Sequence, residues 1–120
     1  MAKTILTVDD SISMRQAVCF ALRSAGYEVL EAGDGTEAIA QLSHPIHLVI
    51  TDLNMPKMDG IELIKHIRAG STHKHIPILM LTTESQQAKK EAAKAAGATG
   101  WIVKPFRPEQ LLSAVSRVLG

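Results

Sequence analysis

VITDLNMPKMDG, residues 49–60, is the stretch on which the fold turns. It opens on an apolar run that suits a buried strand and stops on Asp52. It then passes through two methionines, Pro56, Asp59 and Gly60 before a helical pattern begins near Ile61. One aspartate at a strand end is ordinary turn chemistry. Its meaning depends on what the neighbouring strands end on.

Working outward, the strand patterns are TILTV (4–8), YEVLEA (27–32), HLVIT (47–51), PILMLT (77–82) and GWIVK (100–104). Between them Met14, Val18, Ala21, Leu22 and Ala25 recur at helical spacing, as do Ile61, Ile64 and Ile67, and later Leu111, Leu112, Val115, Val118 and Leu119. Gly26 and Gly97 stand where helices should stop, and Pro108 suits a first helical turn. Alternating strands and helices predict an α/β domain with a parallel sheet. Gly70–Lys74 is the loosest stretch and is expected to be a loop. SQQAKKEAAKAA (85–96) favours helix strongly, yet its apolar face is alanine alone. Alanine buries little area, so this helix is expected to be held weakly, as an edge helix or as one that moves.

The chain of 120 residues is long enough for one core and too short for two, and 46% of it is hydrophobic. Thirteen Lys and Arg against twelve Asp and Glu give a net charge of +1, which offers no electrostatic case for nucleic acid. No apolar run approaches the ~20 residues of a membrane span, and the N-terminus lacks the core of a signal peptide. The single Cys19 excludes an internal disulfide and fits a reducing compartment, so a cytoplasmic location is expected.

In open parallel α/β sheets, ligands bind beyond the carboxyl ends of the strands. Here those ends carry Asp9 and Asp10, then Asp52, then Thr82 and Thr83, then Lys104. With the common strand order 2-1-3-4-5, strands one and three are neighbours ~4.8 Å apart, and the three carboxylates share one small site. At an effective dielectric near 20 each close pair costs several kcal/mol without a compensating cation. Lys104 supplies one positive charge, which is too little. The donors are all hard oxygen, so Mg²⁺ or Mn²⁺ fits and zinc does not. Such a site suits a phosphoryl group, and Asp52 is placed to attack phosphorus and carry it as an acyl phosphate.

DD (9–10), DLNMPKMDG (52–60), TT (82–83) and KPF (104–106) together resemble the receiver domain of two-component response regulators, across the whole chain and in order. DDSISMR and DLNMPKMDGIELIKHIR are similar to the single-domain chemotaxis members. The resemblance implies a flavodoxin-like doubly wound fold of five parallel strands, order 2-1-3-4-5, and five helices. It also implies one receiver domain over 1–120, a phosphorylated signalling protein and not an enzyme acting on other substrates. Asp52 is then the phosphoacceptor, charged by a sensor histidine kinase. Asp9, Asp10, Asp52 and the backbone carbonyl of Asn54 hold Mg²⁺, and Lys104 pairs with the phosphoryl oxygens. Lys104–Pro105 is expected to be cis, an isomer that only proline makes cheap. Thr82 and Trp101 are the expected switch pair, although the family usually has Tyr, Phe or His where Trp101 stands. Asn54 and Glu84 flank the path of an attacking water and match short-lived chemotaxis regulators, so quick loss of the phosphoryl is expected. Leu53 departs from the tryptophan found there in some chemotaxis members. Pro56 and Gly60 are expected to shape a loop that leaves Asp52 exposed.

Rival classes are weaker. An aspartyl-nucleophile phosphatase of the haloacid-dehalogenase type would place a second Asp where Asn54 stands, and Asp9 and Asp10 would repel the phosphate of a flavin. A pure interaction module would not need this set of groups. With no residues left for an effector domain, output is expected through protein contact by a monomer. The face expected to make it comprises helix 85–96, strand 100–104 and helix 108–119, with the flagellar motor switch as leading partner. A dedicated phosphatase is a further candidate partner, and a phosphate-sink role fits the same residues. His44, His47, His66, His73 and His75 are expected to be solvated, Cys19 to be packing, and Lys89, Lys90 and Lys94 to form a solvated helix face.

Overall fold

The computed structural model describes residues 2–83 and 88–120. Five strands alternate with helices: β1 (Thr4–Val8), α1 (Ile12–Ser24), β2 (Glu28–Ala32), α2 (Gly35–Gln41), β3 (Leu48–Asp52), α3 (Gly60–Ala69), β4 (Ile78–Thr83), α4 (Lys90–Ala96), β5 (Gly100–Lys104) and α5 (Pro108–Leu119). All pairings are parallel and the order is β2-β1-β3-β4-β5, the expected doubly wound arrangement. Three strands begin one residue later than their apolar patterns, and β3 and β4 also run one residue further. Asp52 and Thr83 therefore still belong to the ladder, with Asp52 in register with Leu81 and Thr83 with Lys104.

Alternation along the strands divides the core in two. Leu6, Val8, Val49, Ile78 and Met80 face α2, α3 and α4, whereas Ile5, Leu48, Ile50, Leu79 and Leu81 face α1 and α5. Local chemistry fixes the helix starts. Ser11, Asp34 and Asp59 cap α1, α2 and α3, and Glu62 completes a capping box with Asp59.

α4 is the lightly seated helix that its alanines predict. Of the described helix only Ala93 is fully buried, while α3 buries Leu63, Ile64 and Ile67. A buried Leu or Ile contributes about 1.5–3 kcal/mol, so α3 is far better anchored. The helix starts at Lys90 after a short turn at 88–89, later than the predicted 85; residues 85–87 lie outside the described residues. Its end is firm. Gly97 closes it in the left-handed region at φ 116°, and a Cβ there would lie 2.8 Å from Arg68 Nε. Arg68 donates to the carbonyl of Gly97 at 2.7 and 3.1 Å, and to those of Lys74 and Ile76 at 2.9 and 2.6 Å.

Candidate functional site

The carboxyl ends of β1, β3, β4 and β5 bring Asp9, Asp10, Asp52, Thr82 and Lys104 to one end of the sheet. Asp9, Asp10 and Asp52 each offer a carboxylate oxygen within 4.8 Å of the others, and among the described residues no other cluster has this spacing. Lys104 reaches across from β5, with Nζ 2.9 Å from Asp52 Oδ1 and 3.9 Å from Asp9 Oδ2. Lys104–Pro105 is cis, as expected.

Asp52 is not exposed as the loop chemistry suggested. Its side chain is only 12% accessible, because β3 continues through it and Leu53 behind it is buried in the core. Gly60 is what allows the next helix to start directly against this strand. Its amide donates to the Leu53 carbonyl at 2.8 Å, and any Cβ on it would run into the carbonyl oxygen of Asp52. Thr51, just before Asp52, turns its hydroxyl to the Asp52 carbonyl at 2.9 Å.

Asp9 is positioned from both sides. The Ser11 amide donates to its Oδ1 at 2.9 Å, and Arg15, paired with Glu31 at 3.2 Å, donates to its backbone carbonyl at 2.7 Å. Burial pushes the Asp9 carboxyl above its ordinary range, and the charge of Asp52 adds to the rise; the Ser11 amide and Lys104 pull the other way. Asp10 is exposed at the rim, as is Asn54. Glu84 lies outside the described residues.

Two buried side-chain polar atoms among the described residues have no hydrogen-bond partner, Asp9 Oδ2 and Thr82 Oγ1. Both belong to this cluster. An unsatisfied buried polar group costs about 1–3 kcal/mol, so such atoms are rare without a reason. A hard cation on the carboxylates and an oxyanion beside Thr82 would satisfy both. The donor set fits Mg²⁺: three carboxylates with room for further oxygen ligands.

Trp101, predicted as a switch aromatic, lies with its ring on the surface. It is 36% exposed, and Lys90 Nζ sits 5.2 Å from the ring centroid. A groove bounded by Trp101, Ile102, Gln110, Ser113 and Ala114 separates β5 from α5. Cys19 is buried, its thiol 3.3 Å from the Thr7 hydroxyl, and burial pushes its pKa up; it is a packing residue, as expected. Sequence reasoning missed Arg15 and the pair of Lys57 with Asp34, whose atoms lie 3.6 Å apart. Lys57 holds a positive φ of 69° in the loop after Asp52, a conformation for which lysine gives no signal in the sequence.

Residues 5–116 match the model of the response regulator receiver domain. The chain is 44% identical to chemotaxis protein CheY1 of Helicobacter pylori, over 97% of this chain and 96% of that protein. It is 41% identical to the chemotaxis protein CheY homolog of Campylobacter jejuni, over 97% and 92%. Among solved structures, chemotaxis response regulator CheY4 of Vibrio cholerae superposes with a TM-score of 0.93 at 52% identity, covering 99% of this chain and all of that one.

Proposed function

The chain belongs to the response regulator receiver domain family, and from that membership we propose that it is a stand-alone chemotaxis receiver whose Asp52 is the phosphoacceptor. The observation that carries this reading is the pair of unpartnered buried atoms, Asp9 Oδ2 and Thr82 Oγ1, at the strand ends that also hold Asp52 and Lys104.

A carboxylate oxygen of Asp52 attacks the phosphorus of a phosphohistidine on a sensor kinase. The new O–P bond forms as the N–P bond breaks, and the departing imidazole takes up a proton. Lys104, now 2.9 Å from Asp52 Oδ1, offers its charge to the phosphoryl oxygens. Thr82 donates its hydroxyl to one of them. Asp9, Asp10, Asp52 and the Asn54 carbonyl would hold Mg²⁺, which supplies charge neutralisation for the transferring group. Asn54, on the exposed rim, and Glu84 tune the return reaction, in which water cleaves the acyl phosphate. The chain acts catalytically on its own phosphorylation state alone.

The output face is α4, β5 and α5. The light seating of α4, the surface ring of Trp101 and the groove beside it support this assignment. The chemotaxis relatives favour the flagellar motor switch as the partner there, reached by a monomer through contact alone, with a chemotaxis-type histidine kinase upstream.

The test is intact mass after incubation with Mg²⁺ and acetyl phosphate, beside Asp52→Asn and an EDTA control. A labile adduct of one phosphoryl, absent from the variant and without metal, is expected. No adduct under rapid quenching overturns the reading. An adduct that leaves affinity for the motor switch protein unchanged points to a phosphate-sink role.

A further inference from the structure

The other pole of the sheet carries a cleft of about 430 Å³, at the N-terminal ends of β1, β3 and β4 and the last turn of α5. Its apolar floor includes Ile46, Ile76, Val118 and Leu119. Its rim is Lys3, His47, His73, Lys74 and His75, with the hydroxyls of Ser71 and Thr72. Among the described residues no Asp or Glu side chain lines it, although the whole chain has twelve Asp and Glu against thirteen Lys and Arg.

The rim cations are not the basic residues of the last helical turns. Arg23, Arg68 and Arg117 stand in last helical turns, where cations answer the negative end of the macrodipole. The five rim residues stand in loops and strand approaches. Nor do the histidines gather as metal ligands, because the only such cluster among the described residues is the carboxylate trio.

The rim is built to donate. The amide of Thr4 donates to His47 Nδ1 at 3.0 Å, so the neutral ring carries its proton on Nε2 and presents an N–H. The cleft is also preformed. Arg68 fixes the carbonyls of Lys74 and Ile76 at 2.9 and 2.6 Å, and the Ile76 amide bonds the His73 carbonyl at 3.3 Å. A loop held at its backbone has less freedom to lose on binding.

We infer that this cleft docks an acidic segment of a partner protein, with an aliphatic side chain on the floor and carboxylates against Lys3, His47 and Lys74. Charge complementarity selects the carboxylates, and the apolar floor selects a peptide over a simple anion. Nucleic acid fits less well, since among the described residues no Phe, Tyr or Trp lines the cleft for base stacking. The cleft lies at the opposite end of the strands from Asp52, so a partner held there leaves the carboxylate site free.

The experiment is an NMR titration of the ¹⁵N-labelled full chain with a short blocked peptide of Glu and Leu at low and high salt. Lys3→Glu/Lys74→Glu is run beside the native protein, with Lys74→Gln as the milder change. Expected are shifts at Lys3, Ile46, His47, residues 71–76 and Leu119, affinity falling with salt, and a loss of about tenfold or more in the double variant. Lys74→Gln should fall between the two. Shifts centred on Lys89, Lys90 and Lys94, no shifts, or unchanged affinity in the variants overturn the inference. So does equal binding by inorganic phosphate, or tighter binding by oligouridylate at the same residues.

Discussion

Replacing Asp9 with asparagine should stabilise the protein in metal-free buffer. The carboxylate oxygens of Asp9 and Asp52 lie within 4.8 Å, and a pair at that distance repels by about 3.5 kcal/mol at an effective dielectric near 20. Asp10 is exposed, and water screens its share to about 1 kcal/mol. Lys104 Nζ, 3.9 Å from Asp9 Oδ2, returns an attraction of about 4 kcal/mol by the same measure. The charges therefore nearly cancel. What remains is the burial of Oδ2 without a hydrogen bond, which costs about 1–3 kcal/mol. Asparagine keeps an oxygen for the Ser11 amide, 2.9 Å from Oδ1 in the native protein, and replaces the orphaned acceptor with an N–H donor from which the neighbouring Asp52 carboxylate can accept. Asp9→Asn is thus expected to add about 2 kcal/mol in EDTA at neutral pH, or about 8 °C in Tm for a domain of this size.

Burial raises the folded-state pKa of Asp9 above its ordinary value of 3.8. The charged carboxylate then penalises the fold above that raised pKa, and the penalty fades as pH falls through it toward 3.8. The advantage of the asparagine should fade in the same window. Mg²⁺ should reverse the ranking, since a ligand at a hundred times its Kd adds about 2.7 kcal/mol to a fold that can bind it. Thermal unfolding of both proteins in EDTA and in MgCl₂ measures all of this. A variant no more stable than the native protein in EDTA would refute the reasoning, because the orphaned oxygen would then carry no cost.

Gly60→Ala is expected to destabilise by about 2–3 kcal/mol, because the added Cβ meets backbone that has nowhere to move. Besides the Asp52 carbonyl it would lie 3.1 Å from Leu53 Cα and 3.0 Å from Met80 Sδ. Urea unfolding measures the loss, and a cost under about 0.5 kcal/mol would mean that α3 is not held tightly to β3. Arg68→Met removes the donor of four backbone hydrogen bonds and should cost about 2–3 kcal/mol. Faster amide hydrogen exchange at Gly97 and Ala98 is expected, and unchanged exchange there would show that the guanidinium does not anchor the end of α4.

The fold was legible because the central strands β1, β3 and β4 are buried enough to spell themselves in apolar residues, and because the strand ends collect charged groups out of keeping with that burial. Asp9, Asp52, Thr82 and Lys104 could be placed together from strand order alone. The depth of Asp52 could not, since it depends on β3 continuing one residue past its apolar run and on Gly60 letting α3 close against it. The outward ring of Trp101 was equally hidden, because a rotamer answers to neighbours such as Lys90 and not to strand pattern. Arg68 was invisible for another reason. A basic residue in a last helical turn looks the same whether it answers a dipole or ties down a distant glycine.

The Arg68–Gly97 tie makes α4 a pointer pinned at one end. Its C-terminal carbonyl is clamped, while along its length only Ala93 seats it firmly against the sheet. A disturbance arriving from the Asp52 end of the sheet is therefore expected to swing the helix and not to slide it. The seven residues span about 10 Å, so a tilt of ~10° would sweep the Lys90 end by ~2 Å while the Gly97 end stays in place. Such a lever concentrates displacement at Lys90 and the neighbouring indole of Trp101 and spares the opposite pole.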